Sequence, residues 1–99
     1  MTKKEIELLK LEIVELTELF YNEWDDLRDA LSNAGVKINN GRLVAMYEDE
    51  NDNMDGVFIT EDNLIVKYEI LNNIAYVKII SNVDEVSEDY PQVIVAIQS

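Results

Sequence analysis

Apolar side chains recur at Ile6, Leu9, Ile13, Leu16, Phe20, Trp24, Leu27, Leu31 and Ala34. The average step of about 3.5 residues predicts helix over roughly residues 3–33. Thr2 followed by Glu5 three positions on forms a capping box at its start. Gly35, after Ser32, Asn33 and Ala34, falls where a left-handed C-terminal cap belongs. Asn22 is a second N-cap candidate, so the pattern also fits two helices bent near residues 21–22. The unbroken period favours one long helix.

Strand-like runs follow at 36–38, 42–47, 57–60, 64–71, 74–80 and 92–98. Asn39, Asn40 and Gly41 offer a turn that pairs the first two runs as a short hairpin. The continuous apolar run Val93, Ile94, Val95, Ala96, Ile97 reads as a central strand, reached after an acidic, turn-like stretch closed by Pro91. The best-defined unit surrounds Asn72 and Asn73, since Asn tolerates the positive φ of a two-residue type I′ turn. That turn places Val66, Tyr68 and Ile70 opposite Ile79, Val77 and Ala75, all apolar or aromatic. The other face sets Lys67 opposite Lys78 and Glu69 beside Tyr76, as in an antiparallel sheet with a core side and a mixed side. The expected fold is one α+β domain over 1–99. Its long helix packs on one face of a four- or five-stranded, mainly antiparallel sheet.

The helix carries more apolar surface than one stripe needs. Leu8 and Leu19 flank the stripe on one side, Val14 and Tyr21 on the other. A wide face wrapped by the sheet accounts for this, and so does a homodimer joined through these four residues. The heptad run Ile6, Leu9, Ile13, Leu16, Phe20 fits pairing but stops at Glu23, too short for a coiled coil.

Composition narrows the chemistry. The chain has 99 residues, 21 acidic and 8 basic side chains, a formal net charge of −13, and neither Cys nor His. Thiol, imidazole, zinc-finger and disulfide chemistry therefore lack side chains, and a metal site would be oxygen-ligated. Gly35, Gly41 and Gly56 are too dispersed for a phosphate-cradling loop. The N-terminal residues lack a secretory apolar stretch, and no run is long enough to span a bilayer. These features predict a soluble, cytoplasmic protein without a cofactor. The acidity opposes direct contact with nucleic acid or anionic lipid.

Acidic residues cluster. Residues 48–62 hold Glu48, Asp49, Glu50, Asp52, Asp55, Glu61 and Asp62 with no base, and Asp84, Glu85, Glu88 and Asp89 follow later. A solvated loop surface explains such clusters, and so does a surface that steers a basic partner into place. On the second reading the protein is a non-catalytic binding domain. Its extreme form is a nucleic-acid mimic that inhibits by filling a basic cleft, as small proteins of phages and mobile elements do by analogy. Glu7, Glu18 and Asp25 fall on one side of the predicted helix and offer a row of charge. Residues 51–62 also resemble an EF-hand loop, with Asn51, Asn53, Asp55 and Asp62 at oxygen-ligand positions and Gly56 at the sixth. Asn at the first position, Asp at the last and strand-like flanks depart from that pattern. No carboxylate pair is singled out for acid–base work, and Tyr47, Tyr68, Tyr76 and Trp24 read as packing residues. The expected protein is no enzyme, with homodimeric assembly and Ca²⁺ binding as alternatives to partner binding.

Overall fold

The computed structural model describes residues 1–98. It is an α+β fold with the order α1 (Lys3–Asn22), α2 (Asp25–Asn33), β1 (Arg42–Glu48), β2 (Met54–Ile59), β3 (Ile65–Leu71), β4 (Ile74–Ile80), α3 (Asp84–Ser87) and α4 (Gln92–Gln98). The strands form one antiparallel meander in the order β1-β2-β3-β4.

Thr2 caps α1 as its sequence predicts, accepting a hydrogen bond from the Glu5 amide at 3.2 Å. The long helix does not run unbroken to residue 33. It stops at Asn22, and α2 starts at Asp25 with Trp24, not Asn22, in the N-cap position at φ −96 and ψ 65. Arg28 holds this joint by donating from its guanidinium to the carbonyls of Phe20, at 2.9 Å, and Tyr21. Those carbonyls belong to the unsatisfied last turn of α1, and the fork-shaped donor replaces the missing helical partners. The apolar period survives the break because Phe20, Leu27 and Leu31 enter the same core.

At the far end of α2 the amide of Gly35 donates to Ser32 and that of Val36 to Leu31, both at 3.0 Å. Gly35 sits at φ +94, the left-handed conformation this double closure requires. The closure uses the Val36 amide. Residues 36–38 accordingly form a connecting segment, and the hairpin expected between 36–38 and 42–47 is absent.

Both faces of the sheet are covered. On one, Phe20, Leu27 and Leu31 of the first two helices meet Leu43, Phe58, Val66, Tyr68 and Ile70. On the other, Val86, Tyr90, Val93 and Ala96 meet Ala45, Val57, Ile59 and Ile80. Alternate residues of β2 therefore enter opposite cores, which explains an apolar run where a one-sided strand would alternate. A register shift between Leu43 and Ala45 adds Val44 to β1 and buries all three.

The expected strand at 92–98 is helix α4. Pro91 precedes it, where a residue without an N–H costs nothing at a helix start. Val93, Val95 and Ala96 are almost fully buried, so the segment is apolar because it fills the second core. β2 begins at Met54 rather than 57, β3 at Ile65 rather than 64, and β1 runs on to Glu48. The β3–β4 register is the predicted one, with Val66 facing Ile79, Tyr68 facing Val77 and Ile70 facing Ala75. Ile79 departs from the expected core face, being exposed at the sheet's edge.

Candidate functional site

The meander sorts the acidic segments by sheet end. The β1–β2 turn lies at the Glu48–Met54 end and the β2–β3 turn at the Ile59–Ile65 end. A strand the length of β2 separates them by about 20 Å. Glu48, Asp49, Glu50, Asp52 and Asp55 thus share one end, while Glu61 and Asp62 occupy the other beside Lys37. Asp84 and Glu85 follow the far end of β4, where Glu85 lies 4.0 Å from Lys78. Glu88 and Asp89 lead from α3 to Tyr90, which returns to the first end and donates its hydroxyl to Asp55. The predicted acidic set is two separate groups joined by a short bridge.

The structure adds residues to the first group. The α1–α2 joint brings Glu23, Asp25 and Asp26 over the same sheet end as Glu48. Between them lies a groove of about 360 Å³, with Trp24, Leu27, Met46 and Met54 among its walls. No basic side chain lines it, and the nearest guanidinium, Arg28, is occupied by Asp25 and the α1 carbonyls. Trp24 is the only tryptophan in the chain. Glu23, Asp25 and Asp26 are not legible in the sequence as partners of the β1–β2 turn, because an unbroken helix carries them away from it. The available signal was the Asp25–Asp26 pair, which suits the positive end of a helix dipole.

Local hydrogen bonding fixes the neighbouring turn. Asp49 accepts from the amides of Asn51 at 2.8 Å and Asn53 at 3.1 Å. These donors hold its carboxyl below the usual aspartate range. Asp52 takes the left-handed conformation at φ 63. At the opposite end the Thr60 hydroxyl donates to Asp62 at 2.5 Å and lowers that carboxyl too, with a smaller contribution from Lys37.

Behind the turn, Tyr47 stacks on Tyr90 with ring centroids 6.0 Å apart, and Gln92 donates to the Tyr47 hydroxyl at 2.7 Å. Burial, then the bond to Asp55, raises the Tyr90 phenol well above its ordinary range. Asp55 is therefore a structural acceptor as well as a surface charge.

Two sequence expectations change here. The twelve-residue calcium loop is not a loop, because its central residues form β2. Asn51 and Asn53 sit at one end of that strand and Asp62 at the other. Among the described residues no three acidic side chains converge to hold a metal ion. The row Glu7, Glu18, Asp25 is also broken, since Asp25 lies on α2 and pairs with Arg28.

The four residues assigned to a helix-mediated dimer divide. Leu8 and Val14 are exposed, with Leu11 between them. Leu19 and Tyr21 are half-buried. Tyr21 donates to the Ile38 carbonyl and accepts from the Gly41 amide at 2.7 Å, so it belongs to the fold. Among the described residues no helix is long and apolar enough to cross a membrane.

The fold and groove together define an acidic α+β domain with a four-stranded meander covered on both faces. No protein-family model, curated protein or solved structure matches the chain.

Proposed function

We propose that this chain is a non-catalytic binding domain whose groove at the α1–α2 joint engages a basic segment of a partner protein. The observation supporting this reading is that Glu23, Asp25, Asp26 and Glu48 converge around an apolar lining that contains Trp24. Carboxylates at the rim of a groove concentrate the negative potential of a −13 chain and steer cations toward it. The indole face attracts a guanidinium or ammonium group. Met46 and Met54 offer adaptable apolar surface to the aliphatic stem of an arginine or lysine. Occupation of a partner's basic surface in this way blocks a polyanion from the same surface, which is the inhibitory form of the function. The broken helical row leaves the groove and the β1–β2 turn, rather than a line of charge along α1, as the contact.

Trp24 supplies the test. Its emission is followed while the protein is titrated with an arginine-rich peptide at low and high salt. Saturable quenching that weakens with salt is expected, with affinity falling about tenfold when Asp26 and Glu48 become Asn and Gln. The same substitutions at Asp62 and Glu61 should change it little. No saturable change, or equal losses at both ends, overturns the proposal.

A further inference from the structure

We infer that the free edge of β4 pairs with β4 of a second copy of this chain, extending the meander into one eight-stranded sheet. The two edges of the sheet are treated differently. At β1 the Leu43 amide donates to the Thr17 hydroxyl of α1 at 3.0 Å, and the Gly41 amide just before the strand donates to Tyr21. Helix α1 therefore closes that edge. No hydrogen bond from outside the hairpin reaches the backbone of Ile74–Ile80 among the described residues.

The turn identifies the groups left open. Asn72 and Asn73 sit at φ 53 and φ 67, a type I′ geometry in which Leu71 and Ile74 form the first hydrogen-bonded pair. Pairs alternate along an antiparallel ladder, so Tyr76, Lys78 and Ile80 turn their backbone groups inward to β3. Ala75, Val77 and Ile79 turn theirs outward. Edge strands usually carry devices that blunt such a row, including charges, proline or bulges. β4 has a single lysine, while Ile74, Tyr76 and Ile79 are 57%, 58% and 55% exposed.

Charge selects the occupant. Residues 70–83 contain no acid, in a chain where acids outnumber bases 21 to 8. The strand itself offers a basic partner no acid, and the flanking Glu69 and Glu85 are paired with Lys67 and Lys78, whereas two acidic copies can meet at this edge without setting unpaired carboxylates against each other. The strand is also self-complementary about its midpoint, Val77. An antiparallel two-fold pair centred there sets Ala75 against Ile79 of the second copy and Tyr76 against its Lys78. The latter places an ammonium by an aromatic ring. Centring on Lys78 instead would oppose two lysines, which is unfavourable.

The test is amide hydrogen exchange on the whole chain at micromolar and millimolar concentrations, with mass measured by light scattering. A particle of twice 11.4 kDa is expected, with the amides of Ala75, Val77 and Ile79 gaining protection as concentration rises. Ile79→Asp and Ile79→Pro should each give a monomer with unchanged circular dichroism, because this exposed residue uses no amide within the hairpin. A monomer at every concentration, or a dimer in which those three amides exchange freely, overturns the inference. So does a dimer that survives both Ile79 variants and is lost on Leu8→Glu or Leu11→Glu, which would place the contact on α1.

Discussion

Gly56 is the point at which the sheet has no room for a side chain. A Cβ there would lie 2.0 Å from the Ala45 carbonyl oxygen and 2.6 Å from the Tyr68 hydroxyl. Tyr68 reaches over this position to donate to Ala45 at 3.1 Å, with its ring fully buried. Gly56→Ala must therefore push the β1 backbone and the tyrosine apart. Leaving a buried hydrogen bond unmade costs about 1–3 kcal/mol. Overpacking a dense core adds a similar ~1–3 kcal/mol. Together they come to about 2–6 kcal/mol against the roughly 5–15 kcal/mol of a small domain's stability, and a loss of about 4 kcal/mol lowers Tm by on the order of 20 °C. Gly35→Ala is the control, because its site is open and only the φ of +94 opposes it, at about 1 kcal/mol. Urea unfolding followed by circular dichroism and Trp24 emission measures both. In a Tyr68→Phe background Gly56→Ala should cost less, since one of its two clashes is gone. A Gly56→Ala cost no larger than that of Gly35→Ala would refute the steric argument.

Tyr21→Phe strands the Ile38 carbonyl and the Gly41 amide, and a loss of about 1–3 kcal/mol is expected in the same urea assay. Arg28→Ala removes the donors that close α1, at about 1–2 kcal/mol, and Trp24 emission should shift to the red as the joint loosens. Arg28→Lys should recover little, because a lysine cannot present a fork of donors. The Tyr68 and Tyr90 phenols are both raised, chiefly by burial and then by Asp55. The unfolded chain loses these protons first, so stability is whole below about pH 10 and falls as pH rises beyond it. A thermal scan against pH should show this fall, reduced in Tyr90→Phe. Asp49 and Asp62 act with the opposite sign, contributing above about pH 4 and losing it as pH falls through their lowered range. Full exposure keeps that contribution small.

What the sequence discloses follows from which interactions are local. Thr2 with Glu5, Gly35, and Asn72 with Asn73 specify their cap or turn through their own backbone chemistry, and the β3–β4 register follows from the last pair. The α1–α2 break depends on Arg28 reaching back to Phe20 and Tyr21, with no proline or glycine to mark it. The apolar period continues across it, so the pattern favours one helix, and the bend near residues 21–22 that Asn22 suggests is the alternative the structure bears out. The segment 92–98 misleads because a short, fully buried helix and a central strand both appear as continuous apolar runs. Pro91 was the signal that favours a helix start. The acidic set was legible as composition but not as geometry. β2 separates its two halves, and the helix break supplies members from a distant part of the chain.

Charge placed at the groove, rather than acidity in general, is what the proposed partner would recognise. Extract of the native host should be passed over the immobilised chain, over Asp26→Lys/Glu48→Lys and over Glu61→Lys/Asp62→Lys. Each variant reverses two charges, at opposite ends of the sheet. One basic protein should be retained by the original chain and by the far-end variant, released by salt, and lost from the groove variant. Retention that survives reversal at the groove, or that falls equally with either pair, would contradict the account.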